Sequence, residues 1–564
     1  MSSAPKEGID RKKFKEDFSK YQKVLYELYK HPAENADKIV RIQQWMEKTS
    51  FTILMNDPSF YLETKLDSDI WKDCFYRLID MEKAKIKESI KAQKEPDTKR
   101  VLELVHKALD YYSAVYRSLK DIPAIDQGVS VTPSTCFSQK TKSIITCTIF
   151  IHIGDLYRYE IQYSTPPGAT PDYSKAESAY KQVISLDPGS GVAHHQLAIL
   201  AVGNNADILV LYRYIRSIAC TSPFPAALKN LRILFIKNEK MMADIVMEPR
   251  SKKEGIATFN RCFIELLRII YEGSGDSARF TKLMASTLKL FDYLLKYDAF
   301  STQYVFRVIM VAIFAACDLW NNGAEKDSSQ SGVLSDGCLN GWICLFSLIT
   351  RVLVHTYTDP NMSLRHVATI RLFLLWLELQ KADGFRPKYL VAEASVSSST
   401  SFSSFLDVEQ RMWRSVVDLM NRLPLKDTVV TDSLPLRYEV EVRGFLPFKG
   451  LFDNIAASSA FCNEEDSTTR YMISICVSFN HLKDEPRCPV RIGNDERKQY
   501  YIINPHQSHD PFRSYLFEGQ AAFPAISSAG DEDMMSTMNS AFFGYHSRTT
   551  SSSTHLSTVG SFVS

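Results

Sequence analysis

The stretch from Ile151 to Asn238 most constrains this 564-residue chain, because it divides into helical runs joined by short breaks. Its first run, Ile-His-Ile-Gly-Asp-Leu-Tyr-Arg-Tyr-Glu, ends at Glu160 and is largely apolar. In the next run, small and apolar residues share one helical face: Ala176, Ala179, Tyr180 and Val183. The breaker Asp187-Pro188-Gly189 follows it. The stretch therefore predicts several short helices that pack closely together.

Small residues at helix contacts, with an Asp-Pro-Gly turn between helices, are typical of tetratricopeptide-like hairpins. The full repeat pattern occurs about once in this chain. The sequence therefore predicts a short stack of hairpins and not a long regular array.

Helical periodicity continues on both sides of this stretch, so the sequence predicts an all-α fold. The third predicted helix, 70–91, has Ile70, Cys74, Leu78 and Met81 on its apolar face. Two short segments, Met472–Phe479 and Tyr500–Ile503, have a strand-like composition. The predicted helices cover 14–28, 36–48, 70–91, 101–119, 144–162, 173–186, 193–202, 208–219, 226–237, 259–271, 280–296, 304–320, 339–355, 364–379 and 406–423.

Several segments lack this periodicity. Residues 122–143 are polar and contain two prolines, residues 321–336 form a polar insertion, and residues 395–404 are nearly all serine. They predict loops or flexible breaks. Residues 507–564 are rich in Ser, Gly and Thr, and they predict a disordered tail because they cannot bury enough apolar surface.

The composition limits the possible partners and compartments. The 67 Lys and Arg nearly balance the 65 Asp and Glu, so no global field attracts nucleic acid or acidic membranes. The 11 cysteines include no CxxC pair, which favours free thiols in a reducing compartment. The start of the chain has no apolar signal core, and the longest apolar runs are too short to span a bilayer. We expect a chain that does not enter a membrane and that resides in the cytoplasm, with shuttling to the nucleus as an alternative.

The sequence also lacks the motifs of common enzymes. It contains no Walker loop, no GxGxxG after a strand, no HExxH and no GxSxG. Its acidic residues form no two-metal cluster, and the adjacent His194 and His195 would point to different faces of a helix. We expect no catalytic residue, cofactor or metal ion.

Arg158 is the strongest candidate for a ligand-binding residue. It lies in a largely apolar helix, where a guanidinium is costly to bury without a partner. Its planar fork suits phosphate, to which it can donate two parallel hydrogen bonds. The alternative is a purely structural ion pair with a nearby Asp or Glu. Arg77, taken alone, is typical of a surface arginine.

The run Gly154-Asp155-Leu156-Tyr157-Arg158-Tyr159 resembles the phosphopeptide-binding helix of 14-3-3 proteins. With other blocks in order, the chain resembles the Smg-five, Smg-six and Smg-seven group of nonsense-mediated mRNA decay adaptors, which is related to the telomerase subunit Est-one. The other blocks are Ile70–Ile79, the hairpin run from Ala176 through Pro223-Phe224-Pro225 to Leu231, and Leu434-Pro435 with Arg443-Gly444-Phe445-Leu446-Pro447-Phe448.

This resemblance implies a 14-3-3-like phosphopeptide site in which Arg158 and Tyr159 bind a phosphorylated Ser or Thr. The family has a lysine on the third helix, in a Phe-Lys-Asn context, and here that position is Tyr76. Either Arg77 takes its place after a small rotation of the helix, or the site relies mainly on Arg158. The implied site residues are therefore Arg158, Tyr159, Arg77 and Tyr76.

The resemblance also implies a domain order and partners. A 14-3-3-like and tetratricopeptide-like domain would cover 1–240, a helical hairpin extension 241–455 and a small irregular region 456–506. The partners would be the phosphorylated up-frameshift RNA helicase and a paralogous adaptor that pairs through the 14-3-3-like domain. The recruited machinery would be protein phosphatase 2A or deadenylation and decapping factors. The Pro-Phe-Pro-Ala-Ala run and the tail favour the Smg-seven branch, with a divergent Smg-five-like protein as the alternative.

Two other functions stay open at this stage. A tetratricopeptide scaffold for unphosphorylated peptides would need a basic clamp, which Arg213, Arg216, Lys229 and Arg232 could supply. A telomerase-associated subunit would bind RNA or telomeric DNA through a basic stripe with interleaved aromatics. The near-neutral composition disfavours the second of these.

Overall fold

The computed structural model describes most of the first 483 residues and one short strand pair beyond them. The described residues are 10–122, 124–125, 137–203, 207–243, 245, 249, 251–273, 277–317, 319, 336–359, 364–382, 400–423, 436–452, 455, 464–483, 490–492 and 500–502. They are overwhelmingly helical, which confirms the predicted all-α class. The chain packs into two compact units, residues 1–187 and 188–564.

Within its described residues, the first unit consists of eight α-helices and a small parallel strand pair, β1 and β2. A π-helical turn, Trp71–Tyr76, joins α4 to α5. The elements are α1 (Arg11–Leu28), α2 (Ala36–Asn56), α3 (Pro58–Glu63), α4 (Leu66–Ile70), α5 (Arg77–Lys91), α6 (Lys99–Lys120), β1 (Ala124–Ile125), β2 (Phe137–Ser138), α7 (Gln139–Ser164) and α8 (Ser174–Leu186).

The described part of the second unit stacks longer helices and ends in an antiparallel strand pair, β3 and β4. The strand β4 lies where the sequence predicted one. The elements are α9 (Gly191–Gly203), α10 (Asp207–Ile218), α11 (Pro225–Met242), α12 (Lys252–Glu272), α13 (Ser277–Lys296), α14 (Thr302–Ala316), α15 (Asp336–Thr358), α16 (Val367–Ala382), α17 (Thr400–Met420), α18 (Arg437–Glu441), α19 (Glu464–Lys483), β3 (Val490–Ile492) and β4 (Tyr500–Ile502).

The division at residue 187 falls before the predicted boundary at 240. Side chains of α10 and α11, such as Leu211, Leu231 and Phe235, are buried in the same hydrophobic core as Phe259 and Phe263 of α12. Because these helices bury their apolar faces with the later ones, they belong to the second unit. The boundaries at 455 and 506 stay predictions.

Residues 436–452, here called the return segment, bring the chain back onto α10. Arg216 of α10 is fully buried, and its terminal nitrogens donate to the carbonyls of Glu441 and Arg443, the latter at 2.6 Å. The amide of Leu446 donates to the carbonyl of Ala219 at 2.9 Å. The return segment thus satisfies a buried cation with backbone oxygens, which fixes both partners in place.

The Glu441 side chain supplies the negative charge beside the arginines at this contact. It accepts from the Tyr212 hydroxyl at 3.1 Å and lies 3.3 Å from Arg213. Burial alone would raise the pKa of Glu441, but Arg213, Arg216 and Arg307 together lower it, so the carboxylate stays ionised.

The predicted strand at Met472–Phe479 is wrong, because this segment lies inside α19. Its Ile, Val and Phe residues favour a strand by propensity. The packing follows a helical spacing instead, and the side chains buried along α19 are Tyr471, Ile475, Phe479 and Leu482. Packing against α16 therefore favours a helix over a strand for this segment.

Some predicted breaks fall differently in the structure. Residues 400–404, part of the predicted serine-rich break, lie in α17, and α7 begins at Gln139 instead of 144. Residues 126–136, 321–335, 395–399 and 507–564, on which the other predicted loops and the tail fall, lie outside the described residues.

One helical segment, Leu339–Thr358, is long and apolar enough to cross a membrane by length and composition. In the structure, 78% of its apolar window is buried against the rest of the protein. A helix at the centre of a protein core needs the same apolarity, so this segment is accounted for as a core helix.

Replacing Gly444 by alanine should destabilise the second unit. Gly444 has a φ of +64°, and an added Cβ would collide with the backbone carbonyl of Pro188. The matched control is Gly450→Ala, at a φ of +87° with open space around it. Urea denaturation should show that Gly444→Ala costs about 1–3 kcal/mol more than the control, because a carbonyl cannot move as a flexible side chain can. Equal losses would mean that the return segment is not closely packed in solution.

Candidate functional site

Arg158 and Tyr159 lie on α7, the longest helix of the first unit. Ser138 caps α7 by accepting a hydrogen bond from the Thr141 amide at 3.1 Å. At Gly154 the helix has no side chain, and the ring of Tyr180 from α8 occupies the space that a Cβ would need. The glycine therefore lets α8 approach α7 at the turn that carries Arg158.

Asp155 orients Arg158. Its Oδ1 lies 3.2 Å from a terminal nitrogen of Arg158 and accepts the hydroxyl of Tyr180 at 2.6 Å. Burial and the Asp155 carboxylate raise the pKa of Tyr180, so its hydroxyl stays protonated and donates. The structural ion pair considered from the sequence therefore exists, and the Arg158 side chain keeps 16% exposure.

The guanidinium of Arg158 keeps donors that this pair does not use. Its side chain is 16% exposed, and its buried Nε–H has no hydrogen-bond partner within the described residues. Burial disfavours the charged form, but Tyr159, Asp155 and Tyr180 together raise the pKa of Arg158 above its usual value. Arg158 is therefore a fixed cation with free hydrogen-bonding capacity.

The π-helical turn at Trp71–Tyr76 sets the orientation of the next helix. The amide of Arg77 donates to the carbonyl of Lys72, five residues back, instead of that of Asp73. The hydroxyl of Tyr29 donates to the carbonyl of Asp73. Gln43, which is 2% exposed, donates to the carbonyl of Cys74 at 2.8 Å. Side chains from α1 and α2 thus satisfy carbonyls of the π turn.

The extra residue in this turn corrects the predicted face of the third helix. Ile70 and Cys74 are buried as predicted, but Leu78 and Met81 are only half-buried, and Ile79 is buried instead. One additional residue rotates everything after it by about 100° relative to a continuous α-helix. A periodicity argument that assumes a continuous helix cannot anticipate this shift.

As a result, Tyr76 and Arg77 face different neighbours. Tyr76 lies near Tyr159 at the candidate site, because the Nζ of Lys83 is 5.6 Å from the ring centroid of Tyr76 and 4.7 Å from that of Tyr159. Arg77 instead stacks its guanidinium 4.9 Å from the ring centroid of Tyr26 on α1, and it pairs with Asp73 at 3.6 Å. The structure therefore brings Arg158, Tyr159 and Tyr76 together and does not bring Arg77 to them.

Lys83 lies at the same place and was missed in the sequence. Its Nζ is 4.7 Å from the ring centroid of Tyr159 and 5.6 Å from that of Tyr76. Its side chain is only 13% exposed, and it contacts Asp80 at 3.4 Å. The Arg158 guanidinium lies 4.5 Å from the same Tyr159 ring. The available signal was the spacing, since Lys83 follows Tyr76 by two helical turns.

Other features of the described residues do not form part of this cluster. A cleft of about 450 Å³ lies between α6, α7 and α8, and its lining includes Tyr116, Tyr157 and Lys175 but no predicted site residue. No group of His, Cys, Asp and Glu that could hold a metal ion occurs within the searched, described part of the chain. His194 contacts Arg213, whereas His195 contacts Asn230.

Comparisons with known proteins agree with this architecture. Residues 176–452 match the family model described as Est1 DNA/RNA binding domain, a match that begins after α7. The nonsense-mediated mRNA decay factor SMG7 of Danio rerio is 24% identical over 426 residues, which are 70% of this chain and 33% of that protein. SMG7 of Arabidopsis thaliana is 41% identical over 100 residues, which are 18% of this chain and 9% of that protein.

A solved structure shows the same fold. A chain from the crystal structure of Est1 and Cdc13 superposes with a TM-score of 0.64 at 14% identity, covering 87% of this chain and 99% of that one. These similarities define an all-α, Est1-type fold. Together with the sequence relatives, they support a member of the Smg-five, Smg-six and Smg-seven family of Est1-related proteins. It spans about a third of the length of the zebrafish relative.

Replacing Gln43 by leucine should destabilise the first unit. The substitution removes the donor to Cys74 and leaves a buried carbonyl without its partner, which costs about 1–3 kcal/mol. Gln44→Leu on the same helix is the matched control, because Gln44 is exposed. Urea denaturation followed by tryptophan fluorescence should show a clear loss for Gln43→Leu and a small change for Gln44→Leu. Similar stabilities for the two variants would contradict the role of Gln43 at the π turn.

Proposed function

We propose that this chain is a non-enzymatic adaptor of nonsense-mediated mRNA decay that binds a phosphorylated Ser or Thr segment. The binding group is Arg158, assisted by Tyr159. The curated relatives named as decay factors support the pathway. The geometry around Arg158 supports phosphate binding.

The partly exposed guanidinium of Arg158 is the observation that carries this proposal. Asp155 fixes its position at 3.2 Å, and its unused donors lie beside an aromatic ring. A phosphate dianion offers several acceptor oxygens, and a pre-oriented arginine fork binds them without a large loss of conformational entropy. Tyr159 donates its hydroxyl to another phosphate oxygen in this arrangement.

The partners follow from the family. The ligand is a phosphorylated segment of the up-frameshift RNA helicase, and a paralogous adaptor pairs with the first unit. The second unit positions the region that recruits protein phosphatase 2A or deadenylation and decapping factors. The protein works in the cytoplasm and belongs to the Smg-seven branch, in line with its SMG7 relatives.

The tetratricopeptide scaffold is less well supported. Two of the four residues that could form its basic clamp, Arg213 and Arg216, are buried and are engaged with Glu441 and with backbone carbonyls. Arg232 donates to the hydroxyl of Tyr271 at 2.7 Å. Buried arginines that already have acceptors cannot form an open clamp for a peptide carboxylate.

Arg158→Glu should abolish the preference for phosphorylated peptide. Fluorescence anisotropy of the full chain should show that a Ser-Gln phosphopeptide binds more tightly than its unphosphorylated twin. Loss of a charge-assisted hydrogen bond should weaken phosphopeptide binding by at least about tenfold. Binding should also weaken below about pH 6, where the phosphate loses its second charge.

Arg77→Gln is the matched control, because Arg77 faces α1 and not Arg158. We expect it to change the affinity by less than about twofold, since its charge is held by Asp73 and Tyr26. If the wild-type chain binds both peptides equally, the phosphopeptide proposal fails. If Arg77→Gln matches the loss caused by Arg158→Glu, Arg77 belongs to the site in spite of its position here.

A further inference from the structure

We propose that Lys83 supplies the second cation of the phosphate site, in place of the lysine that Tyr76 replaces. This inference rests on the proposed function. It assigns a binding role to a residue that no motif indicates.

The helix geometry puts Lys83 on the same face as the missing lysine, about 10 Å further along the helix axis. Seven residues separate Tyr76 from Lys83, which is close to two full turns, so both lie on one face of the helix. Side chains on an α-helix lean toward its N-terminus, which directs the long lysine stem toward Tyr76. The contact of Lys83 Nζ with the Tyr76 ring, at 5.6 Å from its centroid, shows that the side chain reaches back to this residue.

The observed contacts place the charge beside Arg158. Both cations lie against the ring of Tyr159, with Lys83 Nζ at 4.7 Å and the Arg158 guanidinium carbon at 4.5 Å from its centroid. The two charges are therefore no more than about 9 Å apart, which is the sum of these two distances. In the proposed complex both side chains turn toward one phosphate, to which each donates a charge-assisted hydrogen bond of about 2.7–2.9 Å.

Tyr76 acts as a platform for the lysine. Its ring lies 5.6 Å from Lys83 Nζ, so the ammonium group has an aromatic neighbour on this side as well as at Tyr159. A lysine that is only 13% exposed in this position has lost most of its freedom, and that reduces the entropic cost of binding. Tyr76 itself has no positive charge, but its ring orients the ammonium group of Lys83.

Asp80 competes with the ligand. It contacts Lys83 at 3.4 Å, and its side chain is 53% exposed. An ion pair at this distance, with its carboxylate half exposed, is weak, so a phosphate dianion can displace the Asp80 carboxylate from Lys83. Asp80 then lowers the affinity for phosphate, because its negative charge repels the phosphate and attracts the Lys83 ammonium group.

The test is anisotropy of the full chain with the Ser-Gln phosphopeptide and its unphosphorylated twin. Lys83→Met should weaken binding of the phosphorylated form by about tenfold and leave the unphosphorylated form unchanged. Lys85→Met is the matched control, because Lys85 is 61% exposed and pairs with Glu82. It should change neither affinity by more than about twofold.

Two further variants separate ligand binding from a structural role. Tyr76→Lys, added to Lys83→Met, should restore most of the lost affinity by returning a cation to the family position. Asp80→Asn should tighten phosphopeptide binding several-fold and leave the unphosphorylated peptide unaffected. A purely structural lysine would produce neither effect, and thermal melting checks that each variant is folded.

The outcomes distinguish this inference from the proposed function. If the wild type prefers phosphopeptide, and Arg158→Glu removes the preference while folded Lys83→Met does not, the role of Lys83 is overturned and the adaptor proposal stands. If Lys83→Met does not fold, an unchanged affinity of Asp80→Asn overturns the role instead. A wild-type chain that does not distinguish the two peptides overturns both.

Discussion

A guanidinium taken out of water must keep a counter-charge, and the first unit meets this requirement by packing α8 against α7. Asp155 supplies the charge one helical turn before Arg158, and Tyr180 holds the carboxylate from the neighbouring helix. That contact needs a close approach, which Gly154 permits. An isolated buried charge would cost several kcal/mol, so the sequence Gly-Asp-x-x-Arg cannot be separated from the position of α8.

The second unit uses a buried arginine for a different purpose. Arg216 has no exposure, and its terminal nitrogens bind carbonyls of the return segment, which is distant in sequence. Arg158 retains 16% exposure. Among the described residues neither Nε–H has a partner, so unused donors alone do not identify a binding residue. Access from solvent is what separates an arginine that can bind a ligand from one that joins two segments.

The π turn links the core to the candidate site. Tyr29 and Gln43 bind carbonyls within it, and at its end Tyr76 lies beside Lys83 whereas Arg77 lies against Tyr26 of α1. A buried hydrogen-bond network therefore decides which side chains the site contains. This decision cannot be read from the apolar pattern of residues 70–91, because that pattern assumes 3.6 residues per turn throughout.

The sequence by itself determined the helical class and most helix positions, and it singled out Arg158 as a candidate, because period, breakers and a cation in an apolar run are local signals. Tertiary structure decided the rest. Contact with α16 made Met472–Phe479 helical against its propensity, and burial in a shared core assigned α10 and α11 to the second unit. After the π turn, Arg77 lies against Tyr26 of α1 and Lys83 lies beside Tyr159. Each of these outcomes depends on groups far apart in the chain, whose contacts no local pattern encodes.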